Sequence, residues 1–350
     1  MTSAPDLAGV TASLVGVPSV TGAETELAHH VIEELSRFRR VERHGNCVVA
    51  PAPDDGRPVV TLVGHLDTVP PQGNEMPRVD GGRVWGIGAT DMKGGLAVML
   101  ELAANLPAES RRGLALVFYP GEEGPIARNG LGPLIEWGRF PRTDLAVVLE
   151  PTDLAVQVGC VGTINAEVTF RGEAAHSARP WLGRNAIHMA GPFLNALAER
   201  SPRKVLVGQR LVYREVISAT TATGGVARNV IPAAFTMNVN FRFAPNRTLD
   251  SAVAELEKLV ATFGADVEVV DAAPAGPVCE DNPLLDRLRD AGLRVEAKQG
   301  WTDVAQIGAA GIDAINFGPG ETALAHRPDE SISVAALFHC YEVLWKLLTE

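Results

Sequence analysis

The sequence predicts an α/β protein in which a layered α/β domain carries a smaller β-α-β-β-α-β domain inserted within it. Three observations predict this. From residue 20 to about 160, amphipathic segments alternate with wholly apolar ones; after Gly162 the strands switch to strict two-residue alternation; beyond residue 276 the first character returns. A chain of 350 residues with 46% hydrophobic content can bury two cores. The expected parts are 1–162 and 277–350 for the larger domain and 163–276 for the insert.

In the first part, ETELAHHVIEELSRF reads as an amphipathic helix and VVTLVGH as a strand covered on both faces. MKGGLAVMLELAANL follows as a helix, then GLALVFYP and LAVVLE as strands. In the insert the order is strand (163–170), helix (about 183–199), strand (211–221), strand (233–243), helix (248–263) and strand (266–271). FTMNVNFRF puts Phe235, Met237, Val239, Phe241 and Phe243 on one face and Thr236, Asn238, Asn240 and Arg242 on the other. Such a sheet is covered on one side only. DNPLLDRLRDAGL, AINF and SVAALFHCYEVLWKLL complete the larger domain as helix, strand and helix.

Composition narrows the function. A net charge of −11, with no basic run, argues against nucleic acid and for a small-molecule substrate. No apolar run approaches a membrane span, and the opening MTSAPDLAGV lacks the features of a signal peptide, so the expected location is cytoplasmic. Cys47, Cys160, Cys279 and Cys340 are scattered without metal or disulfide spacing and are expected to be free thiols.

Polar residues cluster where apolar segments end: His65 and Asp67 after VVTLVGH, Asp91 before MKGG, Glu122 and Glu123 after LALVFYPG, Glu150 closing LAVVLE, and His326 beyond AINFGPGETALA. Singly, each has an ordinary structural explanation: a core histidine, an N-cap, a solvated turn, a strand-end acid, a surface loop. In open α/β sheets, however, strand ends share one crevice. Four carboxylates there would repel, each pair at ~4 Å costing about 4 kcal/mol at an effective dielectric of ~20. Two divalent cations held by two histidines and three carboxylates relieve this and leave one acid free; imidazole with carboxylate suits zinc. His65 is then a ligand whose ring Asp67 orients.

The motifs GHLDTVP, GIGATDMKGG, GEE, EPT, HSARPWLGRNAIH, NVIP and AHRPDE, in that order, resemble the M20 family of di-zinc aminoacylases and peptidases over nearly the whole chain. Within it, AHSARPWLGRNAIH, NVIP, RFAP and GWTDVAQ followed by NFGPG are most similar to actinobacterial succinyl-diaminopimelate desuccinylases. The resemblance implies a zinc-peptidase-like α/β catalytic domain with an inserted ferredoxin-like dimerisation and lid domain. It implies two zinc ions per subunit, cobalt being a substitute, with His65, Asp91 and Glu150 on one and Asp91, Glu123 and His326 on the other. Glu122 would be general base and then acid, and the peptide after Asp91 would be cis. The resemblance further implies a homodimer formed through the insert, with His176 reaching the partner's active site to bind the amide oxygen, and Asn229 and Arg242 on the substrate carboxylate. Where many relatives carry Thr-Ser-Asp, this chain has Trp301-Thr302-Asp303, and Thr302 is expected to bind substrate.

The implied reaction is hydrolysis of N-succinyl-LL-2,6-diaminopimelate, on the way to lysine and diaminopimelate. Another M20 amidohydrolase, such as an acetylornithine-type deacetylase, a dipeptidase or a natural-product tailoring deacylase, stays open. GIGATDMKGG lacks GK[ST] and does not match G-x-G-x-x-G, and no G-x-S-x-G occurs, which leaves nucleotide-binding and serine-hydrolase readings unsupported.

Overall fold

A computed structural model describes residues 5–350 and divides the chain into two compact units. The first comprises residues up to Gly159 with Pro277–Lys298 and Thr302–Glu350; the second comprises Cys160–Gly276 with Gln299–Trp301. Among the described residues no helix is long and apolar enough to cross a membrane.

The first unit is built on an eight-stranded sheet ordered Glu42–His44, Cys47–Ala50, Gly113–Tyr119, Val59–His65, Leu145–Val148, Ala314–Asn316, Val156–Val158 and Val295–Ala297. Its centre is parallel, Val59–His65 lying between Gly113–Tyr119 and Leu145–Val148. These strands are buried throughout, as their uninterrupted apolar sequences require. Both outer margins contain antiparallel pairs. The helix Thr25–Leu35 buries Leu27, Ala28, Val31 and Leu35, one stripe at helical spacing. Pro283–Asp290 starts on an Asn282 cap with proline at its first position, and Val334–Thr349 starts on Ser333.

One segment departs from expectation. Rather than entering a helix at Met92, the chain makes a wide helical turn over Ala89–Lys93, with Asp91 and Met92 outside helical conformation, and the α-helix begins at Gly94. The Asp91–Met92 peptide is cis, as the resemblance implies. Gly88, at φ +77°, opens the turn; a Cβ there would meet Thr68 Cγ2 at 2.6 Å.

The second unit is an antiparallel sheet ordered Arg203–Val207, Leu211–Gly224, Ala234–Phe243, Gly162–Arg171 and Asp266–Ala273, with the helices Ala186–Ala198 and Leu249–Ala261. Four strands and both helices follow the expected β-α-β-β-α-β order. The edge strand Arg203–Val207 was not foreseen; its RKVLV is mostly exposed and pairs with the start of Leu211–Gly224, so it lacks the buried alternation that marks Gly162–Arg171 and Ala234–Phe243. Met237, Val239, Phe241 and Phe243 face a core shared with Ile164, Val168, Phe170, Phe193 and Leu256. On the other face Asn238 and Asn240 donate to Asn165 Oδ1, and Arg242 Nε donates to Asn240 Oδ1.

Candidate metal centre

The first unit brings His65, Asp67, Asp91, Glu122, Glu123, Glu150 and His326 together from five segments. Strand Val59–His65 ends on His65, whose side chain is fully buried. Its Nε2 lies 3.1 Å from Asp91 Oδ1 and 3.8 Å from Glu150 Oε1. The other oxygen of Asp91, Oδ2, lies 3.5 Å from His326 Nε2, which is 2.7 Å from Glu123 Oε1. Asp91 therefore turns one oxygen to each histidine. Three sets of side chains converge closely enough to share an ion: His65, Asp91 and Glu150; Asp91, Glu123 and His326; and His65, Glu122 and Glu123.

Asp67 acts differently from expectation. His65 Nδ1 is hydrogen-bonded at 3.0 Å to the main-chain oxygen of Asp67, while the carboxylate stands 3.6 Å away. That carboxylate is fully engaged elsewhere. Oδ1 accepts from the amides of Gly121 (2.8 Å) and Glu122 (3.0 Å), and Oδ2 accepts from the Glu123 amide (3.0 Å) and the Thr21 hydroxyl (2.9 Å). Four donors on two oxygens fill the acceptor capacity of a carboxylate. Asp67 thus holds the turn that carries Glu122 and Glu123, and its backbone fixes the His65 ring.

Protons record how crowded the acids are. Burial and the neighbouring Asp91 push Glu150 up to about 7. Burial, reinforced by Glu150, raises Glu122 well above the ordinary carboxylate range. Hydrogen bonds to Asp91 and Glu123 raise His326 to about 10. Burial alone would lower the pKa of His65, but Asp91, Glu150 and Asp67 outweigh it and raise the ring well above its ordinary value. Asp91 sits below its usual range because its bonds to His326 and His65 outweigh the opposing effect of burial.

This donor set fits divalent cations. Glu150 Oε1 is buried without a hydrogen-bond partner, a costly state that a ligand bond removes. Replacing the two imidazole protons by metal ions would leave carboxylate and neutral imidazole donors of the kind zinc takes.

The sequence profile of peptidase family M20/M25/M40 matches residues 61–350. Over 345 residues the chain is 40% identical to DapE of Mycobacterium tuberculosis, covering 97% of each. The chain belongs to the M20/M25/M40 peptidase family. It is accordingly a metal-dependent amide hydrolase. Among curated relatives, a succinyl-diaminopimelate desuccinylase of Corynebacterium glutamicum is 37% identical, covering 97% of this chain and 95% of the relative. An acetylornithine deacetylase of Myxococcus xanthus is 30% identical, covering 87% and 83%. A Staphylococcus aureus tripeptidase shares the family fold with a TM-score of 0.80 at 20% identity, covering 98% and 96%.

The other expected site residues are not among these converging sets. Thr302 is 2% exposed and donates its hydroxyl to Asn316 Oδ1 at 2.8 Å, so it packs beside the strand Ala314–Asn316 and presents no free group to a ligand. In the second unit, His176 is exposed on a short strand paired with Val230–Ile231, next to Asn229, whose carbonyl accepts from the Ser177 amide. Arg242 is half-buried on the polar sheet face. Sequence reasoning missed three buried groups around the M20 centre. Lys298 donates to the carbonyl of Pro151, immediately after Glu150; Asp303 accepts from Tyr119 and Asn129; Glu330 accepts from the amides of Thr90 and Asp91. None stands in an apolar period that marks it as interior, although Glu330 closes the motif AHRPDE.

Proposed function

We propose that the chain is a two-zinc amidohydrolase that cleaves N-succinyl-LL-2,6-diaminopimelate to succinate and LL-2,6-diaminopimelate. The observation that carries the two-ion reading is Asp91, whose two oxygens face two histidines, each backed by a further carboxylate. His65, Asp91 and Glu150 would hold one ion; Asp91, Glu123 and His326 would hold the other. Divalent ions bound there supply Lewis acidity toward the amide carbonyl and lower the pKa of water. Glu122, left free of both sets, accepts the proton of the attacking water and returns it to the departing amine.

The same reading gives the second unit its part. His176 Nδ1 accepts from the Ala178 amide at 3.1 Å, which in the neutral ring leaves the proton on Nε2, directed as a donor. Such a donor suits an amide oxygen becoming an oxyanion. The Arg242 side chain donates through Nε to Asn240 Oδ1, and its forked Nη groups suit a substrate carboxylate, with Asn229 beside His176. We assign dimerisation to this unit, so that His176 serves the partner's centre. Exposed Leu206 and Val212 on its edge hairpin and Ile187 and Leu194 on a helix support an interface.

The relatives support a succinyl group: the desuccinylase of C. glutamicum is nearer in sequence than the deacetylase of M. xanthus. The test is a side-by-side assay of succinyl-diaminopimelate and acetylornithine with zinc supplied. Preference for the succinyl substrate is expected. Preference for acetylornithine would overturn the acyl assignment while leaving the two-ion chemistry standing.

A further inference from the structure

Glu330 is a buried acid that neither the ligand sets nor the acid–base chemistry uses. It is 1% exposed. Its Oε1 accepts from the main-chain amides of Thr90 (3.0 Å) and Asp91 (3.2 Å), and its main-chain oxygen accepts from Gly86 at 3.0 Å. The carboxylate is thus fastened to the irregular turn that presents Asp91. The buried Lys93 ammonium, which donates to the Val17 carbonyl, supplies the nearby positive charge.

The same loop carries His326, four residues earlier, at φ +62°, a conformation rarely adopted by a residue with a side chain. Both ends of that loop grip Thr90. The Glu321 amide donates to Thr90 Oγ1 at 2.9 Å, and Thr90's own amide donates to Glu330. Gly320 passes so close that a Cβ there would meet the Thr90 carbonyl oxygen at 2.4 Å. The outer side of the loop is tied by Gln72 Nε2 to the His326 carbonyl and by Asn74 Nδ2 to that of Arg327. Asp91 and His326 belong to chain segments more than two hundred residues apart in sequence, yet one clasp sets their separation.

We propose that Glu330 is a positioning residue for the ion shared by Asp91, Glu123 and His326: its carboxylate locks the Asp91 turn to the His326 loop and so sets that ion's affinity. This rests on the two-ion reading above. Partners behind metal ligands typically set 10–100-fold in affinity. A charged acceptor makes stronger bonds to the two amides than a neutral one, so Glu330→Gln keeps the shape with weakened bonds and Glu330→Ala loses the clasp.

The experiment is stepwise zinc titration of the full-length metal-free chain against a chelating indicator, with melting temperature recorded for the metal-free protein. The wild type is expected to bind two ions. Glu330→Ala should bind one of them about 10–100-fold more weakly, with a smaller loss in Glu330→Gln and the first ion close to wild type. Should Glu330→Ala fail to fold, Glu330→Gln decides alone: about threefold or greater weakening confined to one ion supports the role, and wild-type affinity for both overturns it. Weakening both ions equally, in step with a lower melting temperature of the metal-free chain, would make Glu330 merely structural and also overturn it. A wild-type chain that binds fewer than two ions would instead overturn the two-ion reading itself.

Discussion

Glu122 is the one carboxylate in the cluster whose assigned task is to move a proton rather than to hold an ion. Glu122→Ala is expected to retain two zinc ions while kcat falls ~10²–10⁴-fold, the usual loss for a general base. His65→Ala, by contrast, should lose zinc. Metal analysis beside steady-state kinetics separates the two, and near-normal turnover in the Glu122 variant would remove its role. The histidines make a second prediction. His326 is raised to about 10 by Asp91 and Glu123, so between pH 7 and 8 it carries a proton in the metal-free chain, and the acids around His65 shift that ring in the same direction. A metal ligand must be neutral imidazole, so zinc binding should release protons, and affinity should fall as pH falls. Calorimetry in buffers of different ionisation enthalpy reads the number released; zero at pH 7.5 would contradict the reading.

At the scale of elements, the Asp67 carboxylate shows how the residues after one strand organise a turn more than fifty residues away in sequence. Four donors from Thr21, Gly121, Glu122 and Glu123 converge on it, so the acid that stands two residues after His65 holds in place the exit loop of the neighbouring strand Gly113–Tyr119. The second unit offers a simpler packing case. Gly162 pairs across the sheet with Phe243, and a Cβ on Gly162 would meet Phe243 Cζ at 2.1 Å. Phe243 is fully buried in the core, so the ring has nowhere to retreat. Gly162→Ala is expected to destabilise this unit by ~1–3 kcal/mol, typical of overpacking. Thermal denaturation should show an earlier transition; an unchanged profile would mean that the sheet yields more easily than its packing indicates.

Across the whole molecule, the assignment of His176 makes the dimer the catalytic unit. A His176→Ala chain and a Glu122→Ala chain should each be inactive alone. In a mixed dimer one centre carries both defects, while the other combines an intact Glu122 with an intact His176 from the partner. Mixing should therefore restore activity toward one working centre per mixed dimer. If subunit exchange is demonstrated and activity stays absent, His176 does not act across a subunit boundary.

By itself the sequence determined the layered α/β plan and the change of strand character after Gly162, because burial on two faces or on one writes itself into apolar runs or alternation. It also pointed to the side chains of the converging sets, since His65, Glu122, Glu123 and Glu150 stand at the ends of apolar segments and Asp91 and His326 fall in motifs whose order is that of the family. Tertiary structure alone decided what the remaining polar groups do. Thr302 turned inward to Asn316, the Asp67 carboxylate went to backbone amides instead of the His65 ring, and Glu330 closed on Thr90 and Asp91. The physical reason is common to all three. A hydrogen bond between segments tens or hundreds of residues apart leaves no periodic trace in either one, whereas the burial of apolar area does.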